Sequence, residues 1–143
     1  ASGKSTCTEY ERVEFDALLA QSDILSLHCP LSDRTRGLIN KEAFSKMKQS
    51  AVLVNVARGP VVDTQALYEA LTREQIAAAG LDVLEKEPIS RDNPLNEIKD
   101  STKLIITPHL AWASTEARER LVDEVAKNIQ AFLDGEERNI VNG

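Results

Sequence analysis

Ala51-Val52-Leu53-Val54-Asn55-Val56-Ala57-Arg58-Gly59 is the stretch that decides the fold. Six residues rich in β-branched side chains run almost without a polar interruption, then give way to a basic residue and a glycine. Such a run is too short to be a helix of ordinary length and reads as a strand covered on both faces, as in a parallel sheet. Three further runs share its character. Ile24-Leu25-Ser26-Leu27-His28 lies upstream, and Ala77 to Val83 and Leu104-Ile105-Ile106-Thr107 lie downstream.

Helical patterns fall between these strands. Phe15 to Ala20 follows a short loop, with Asp16 as its expected N-cap. Lys41 to Met47 follows Asn40, and Thr64 to Thr72 follows Asp63, two residues whose side chains suit a helix start. The longest helix is predicted from Ser114 to Leu133, stopping before Gly135. Along it Leu121, Val125, Ile129 and Phe132 recur at steps of three and four, with Val122, Ala126 and Leu133 beside them. That stripe is expected to be buried, opposite a face carrying Glu119, Asp123 and Lys127. Arg91 to Ser101 is polar and turn-rich and reads as one surface loop. The order is β and α in alternation. The predicted fold class is therefore α/β, a parallel sheet with right-handed crossovers and helices on both faces.

In such sheets ligands gather outside the carboxyl ends of the strands. The residues that could carry chemistry stand there. His28-Cys29-Pro30 ends the first strand, Asn55 to Gly59 the second, Asp82 the third and Pro108-His109 the fourth. Arg58 brings a fixed, forked charge that suits a carboxylate, although an arginine after a strand is commonly a plain surface residue. His109 can take or give a proton near neutral pH, although a lone histidine more often caps a loop. Glu85 and Glu87 follow Asp82, and a carboxylate beside a histidine stabilises imidazolium and orients the ring. The residues alone leave open which carboxylate does so.

The bulk properties exclude other classes. The 143 residues suffice for one core, or for a piece of a larger protein, and 42% apolar with 28% charged residues is an ordinary globular balance. A net charge of −6 argues against non-specific nucleic-acid binding, which needs clustered cations. No apolar run spans a bilayer, and no secretory signal opens the chain. Cys7 and Cys29 belong to no metal-ligand spacing with the two histidines, so no metal is expected and a reduced, cytoplasmic protein is the simple reading. A GxSxG elbow, a P-loop and a GxGxxG fingerprint are all missing from the sequence.

Taken in order, these motifs closely resemble one family, the D-isomer-specific 2-hydroxyacid dehydrogenases. The matching text begins with Asp23-Ile24-Leu25-Ser26-Leu27-His28-Cys29-Pro30-Leu31 and Thr35-Arg36-Gly37-Leu38-Ile39-Asn40. It continues with Leu53 to Gly59, Val62-Asp63, Gly80-Leu81-Asp82-Val83, Glu87-Pro88, Thr107-Pro108-His109 and the long final helix. The resemblance covers nearly everything from Phe15 onward. It implies a Rossmann-type dinucleotide-binding domain, truncated at its N-terminal side, over residues 1–143. The last residues would lead back toward a substrate domain that is absent from this chain.

It also implies roles. Arg58 would hold the carboxylate of a 2-oxo acid and polarise the reacting carbonyl. His109 would protonate its oxygen, and Glu87 would pair with His109 and keep it protonated for reduction. Asp82 would hold the nicotinamide carboxamide. Cys29, Pro30, Leu31 and Thr35 would line the adenosine and pyrophosphate side, with Pro30 near the adenine ribose. Val56 and Ala57 would line the nicotinamide side, where Arg58, His109 and Trp112 also approach the cofactor. The implied cofactor is NAD, with NADP left open because the glycine loop and ribose selector fall outside the chain. The implied reaction is hydride transfer between NAD(H) and a D-2-hydroxy acid/2-oxo acid pair. Trp112 after His109 resembles the glycerate dehydrogenase (hydroxypyruvate reductase) branch. A homodimer is expected, with Leu31 to Ser50 contributing to its interface.

The alternative from another class is an NADH-sensing transcriptional corepressor of the C-terminal binding protein type, which shares the Arg/Glu/His set and the tryptophan. A purely structural module is a third reading. Glu87 argues against the formate dehydrogenases, which carry glutamine at that position.

Overall fold

The computed structural model describes residues 10–140; Cys7 lies outside them. The chain divides into two compact units, the first closing at His109 and the second opening at Leu110.

The first unit is built on four parallel strands, β1 (Ile24–Leu27), β2 (Val52–Asn55), β3 (Ala78–Leu81) and β4 (Leu104–Ile106), in the order β1-β2-β3-β4. Register runs Leu25 to Leu53 to Ala79 to Leu104, so apolar side chains line up across the sheet. Leu25, Leu27, Leu53, Leu81 and Leu104 share one buried cluster with Leu19 of helix α1 (Phe15–Gln21), Phe44 of α2 (Lys41–Lys46), and Leu67 and Leu71 of α3 (Thr64–Thr72). Burial of this area drives the unit together.

The strand and helix readings from the sequence hold to within one or two residues. Asn40 and Asp63 cap α2 and α3 as expected, their side chains accepting the backbone N–H of Ala43 at 3.0 Å and Ala66 at 2.9 Å. Four corrections stand beside them. Glu14, not Asp16, occupies the N-cap position of α1, and Asp16 sits in the first turn, where its carboxylate reaches Lys46 at 2.8 Å. Among the described residues of this unit the strands are not covered evenly on both faces: burial alternates along β1 and β2, and Ile24 and Ile105 are more than half exposed. A short 3₁₀ turn, Pro94–Glu97, interrupts the loop expected over 91–101 and buries Leu95.

The fourth correction concerns the second unit. Its helix α4 (Thr115–Asp134) starts on Ser114, whose hydroxyl accepts from the Ala117 N–H at 3.2 Å. It ends on Gly135 in the left-handed conformation, as caps of this kind require. The expected stripe is apolar but not buried: Leu121, Val125 and Ile129 are each half exposed or more, and Phe132 is 82% exposed. Only Ala131 is buried along this helix. Among the described residues no helix is long and apolar enough to cross a membrane.

Candidate active site

Just past its carboxyl end, each strand of the first unit carries a side chain that the sequence singles out. After β1 the chain turns through Cys29, Pro30 and Leu31. Thr35 closes that loop on itself, its hydroxyl donating to the Pro30 carbonyl at 2.7 Å and accepting the Ser32 N–H at 2.8 Å. The Thr35 side chain therefore shapes the loop from inside. His28 to Leu31 and Val56 to Arg58 face each other across a cleft of about 510 Å³ between the ends of β1 and β2. Cys29 is a free, half-buried thiol in that wall.

After β2, Asn55 is 1% exposed and spends its amide on the turn that carries Arg58. Its Oδ1 accepts the Ala57 N–H at 3.0 Å and its Nδ2 donates to the Arg58 carbonyl at 3.1 Å. The Arg58 side chain is exposed, with Nη1 donating to the Ala57 carbonyl at 2.7 Å. The next residue must be glycine. A Cβ on Gly59 would lie 1.9 Å from the Leu84 carbonyl carbon and 2.3 Å from the Glu85 nitrogen. The arginine loop and the acidic loop after β3 thus touch backbone to backbone.

After β3, Asp82 is buried, and the Thr107 hydroxyl donates to its Oδ1 at 2.5 Å, bridging the ends of β3 and β4. Glu87 turns back across its own loop. Oε1 accepts the Leu84 N–H at 2.9 Å, and Oε2 lies 2.9 Å from His109 Nδ1. Of the two carboxylates left open by the sequence, Glu87 reaches the histidine; Glu85 lines a different cleft, with Arg36 and Asp63. His109 holds a left-handed backbone at φ +56, uncommon for a side chain of its size and the kind of local cost that clusters at functional positions. The peptide between Glu87 and Pro88 is cis. Asp82, Glu87 and His109 line one cleft of about 400 Å³, whose other walls include Ile89, Ile106 and Pro108.

The Leu84 N–H, and after it the His109 ring, hold the Glu87 carboxyl below the ordinary carboxylate range; partial desolvation and the Asp82 charge oppose them. Glu87 is therefore ionised throughout the neutral range. With Nδ1 turned to that carboxylate, the ring presents Nε2 as the atom that can exchange a proton with a ligand.

Trp112 belongs to the second unit and is 55% exposed there. Two residues of the site had no role in the sequence reading, Asn55 and Thr107. A lone amide closing an apolar strand was the available signal for the first. For Thr107 the sequence held no signal, because its partner Asp82 is on another strand.

Residues 2–111 match the family profile described as the D-isomer specific 2-hydroxyacid dehydrogenase, NAD binding domain. The chain belongs to this family. It is 48% identical to a hydroxypyruvate reductase of Blautia hydrogenotrophica over 91% of its own length and 39% of the relative's. Among solved structures, D-lactate dehydrogenase from Aquifex aeolicus complexed with NAD and lactic acid aligns at TM-score 0.75 and 38% identity, covering 87% of this chain and 41% of that one. An acyclic imino acid reductase in complex with NADPH and D-Arg aligns at TM-score 0.86 and 35% identity, covering 97% and 43%. The chain thus spans about two fifths of the length of these relatives. The parallel sheet is the Rossmann-type α/β fold of this family.

The lowered Glu87 carboxyl has a consequence for stability. Its contacts contribute above the pKa of an unfolded glutamate and are lost as pH falls through the lower folded value. In a carbon-13 NMR titration the Glu87 carboxyl is expected to titrate below the ordinary glutamate range. A midpoint within or above that range would mean that the contacts to Leu84 and His109 do not form in solution.

Proposed function

We propose that this chain is the cofactor-binding part of an NAD(H)-dependent oxidoreductase that interconverts a D-2-hydroxy acid and its 2-oxo acid. The relatives' lengths support reading residues 1–143 as part of a longer enzyme that also has a substrate domain. Glycerate and hydroxypyruvate are the proposed pair, favoured by the similarity to a hydroxypyruvate reductase. The observation that carries the reading is the Glu87–His109 pair at 2.9 Å, set on the sheet edge that also carries Asp82 and Arg58.

The residues present fit a nicotinamide dinucleotide. The cleft between His28–Leu31 and Val56–Arg58 is open enough for a nucleotide, and the buried Asp82 carboxylate is an acceptor suited to a carboxamide N–H. Cys29, Pro30, Leu31 and the Thr35-closed loop would hold its adenosine and pyrophosphate side, and Val56 and Ala57 its nicotinamide side. NAD is proposed, and NADPH in the imino acid reductase complex makes NADP the form to compare.

When bound, the cofactor supplies or accepts the hydride. The protein's own residues do the rest. Arg58, released from the Ala57 carbonyl, pairs its guanidinium with the substrate carboxylate and draws electron density from the 2-oxo group. Reduction leaves negative charge on the substrate oxygen, and His109 Nε2 delivers a proton to it. Glu87 stabilises the imidazolium before transfer and holds the ring by Nδ1. In the oxidative direction the neutral ring takes the hydroxyl proton. The enzyme names of the relatives favour this reading over the corepressor.

A homodimer in the cytoplasm, with Leu31 to Ser50 at the subunit contact, completes the proposal and rests on the family resemblance. Sedimentation of the whole protein as a monomer at micromolar concentration, or its recovery with membranes, would contradict that part.

The chemical part is tested in the whole protein with hydroxypyruvate and NADH. His109→Gln should lower turnover by about 10²–10⁴-fold. Glu87→Gln, which takes away the carboxylate facing His109 Nδ1, should lower turnover less than His109→Gln does and should add less than about 3-fold in the His109→Gln background. The same loss in both backgrounds would show that Glu87 does not act through His109.

A further inference from the structure

Asn55 stands where an apolar side chain would be expected. It ends β2 on the buried face, two residues after Leu53, and is as closely packed as its aliphatic neighbours. Placing an amide there costs free energy unless every polar atom is satisfied. Both ends are satisfied by one short segment: Oδ1 by the Ala57 N–H and Nδ2 by the Arg58 carbonyl. Only one orientation of the amide serves both bonds, so the side chain is a template for the turn. Its backbone adds a third link, the Asn55 carbonyl accepting the Asp82 N–H at 2.9 Å. The Arg58 carbonyl also accepts from Val61 at 3.2 Å, which starts the 3₁₀ turn Gly59–Val61. Asn55 therefore fixes the peptide on which the guanidinium is mounted, and at the same time the strand end that carries Asp82.

We infer that Asn55 is a positioning residue for Arg58: its buried amide, bonded to Ala57 and Arg58, sets the direction from which the guanidinium meets a substrate carboxylate. This rests on the substrate-binding role proposed for Arg58. A group that acts only through another has a distinctive signature: its loss matters while the other is present and ceases to matter when the other is gone. A residue that merely supports the fold lowers activity by the same factor in both backgrounds.

The test is a double-mutant cycle on kcat/KM for hydroxypyruvate in the whole protein, with KM and kcat resolved. Asn55→Asp keeps the size and the acceptor for the Ala57 N–H but puts an oxygen where Nδ2 donated. It should lower kcat/KM by about 10–100-fold, the scale of a displaced binding group. In the Arg58→Ala background the same change should cost less than about 3-fold. Thermal unfolding shows whether each variant folds. If Asn55→Asp does not, Asn55→Ser, whose hydroxyl can serve only one of the two bonds, takes its place in the cycle. Equal losses in both backgrounds would overturn the inference while leaving the role of Arg58 intact. An Arg58→Ala protein as active as wild type would overturn both.

Discussion

The site depends on a contact between two stretches of backbone. Because residue 59 has no side chain, the turn after β2 lies against the Leu84–Glu85 peptide, in space where a Cβ would sit 1.9 Å from a carbonyl carbon. Everything chemical hangs from the two chains that meet there. On one side Arg58 precedes the glycine. On the other, the Leu84 N–H donates to Glu87, which in turn holds His109. An overlap with backbone atoms cannot be relieved by a rotamer change, so this position admits no larger residue without moving one loop away from the other.

Around that contact the polar groups form short links between strand ends. Asn55 ties β2 to its own turn and to Asp82, and Thr107 ties Asp82 to the segment leading to His109. Buried polar groups satisfied this way are rigid, because each bond lost leaves an unpaired partner in a low-dielectric site. The parallel sheet supplies the geometry that makes the links possible. It brings four strand ends to one edge, so that residues as far apart in sequence as Asn55 and Thr107 close a single rim.

Much of this was legible in the sequence, for identifiable reasons. Ala51 to Val56 reads as a strand because its β-branched, apolar run has almost no polar interruption, and Asn40 and Asp63 announce helix starts by their side-chain chemistry. Burial was not legible in the same way. An apolar run such as Ile24 to Leu27 shows that a residue can be covered, but not what covers it, and alternate positions on β1 remain open. The stripe on α4 carries the same ambiguity: periodicity located the helix and misjudged the exposure of Leu121, Val125 and Phe132. At the site, residue types and order pointed to Arg58, Glu87 and His109. The choice between Glu85 and Glu87 needed the loop's path, which the contact at Gly59 fixes and local sequence does not. Thr107 was out of reach because its meaning lies in a partner on another strand.

In the proposed reaction the carboxyl edge of this sheet presents Arg58 and the Glu87-supported His109 to one 2-oxo acid. A crystal structure of the whole protein with NADH and oxamate, a carboxylate that mimics the substrate, should show Arg58 moved from the Ala57 carbonyl to the oxamate carboxylate, His109 Nε2 donating to the oxamate carbonyl oxygen, and Nδ1 still on Glu87. Oxamate bound elsewhere, with Arg58 still on Ala57 and His109 Nε2 turned away from it, would rule this arrangement out.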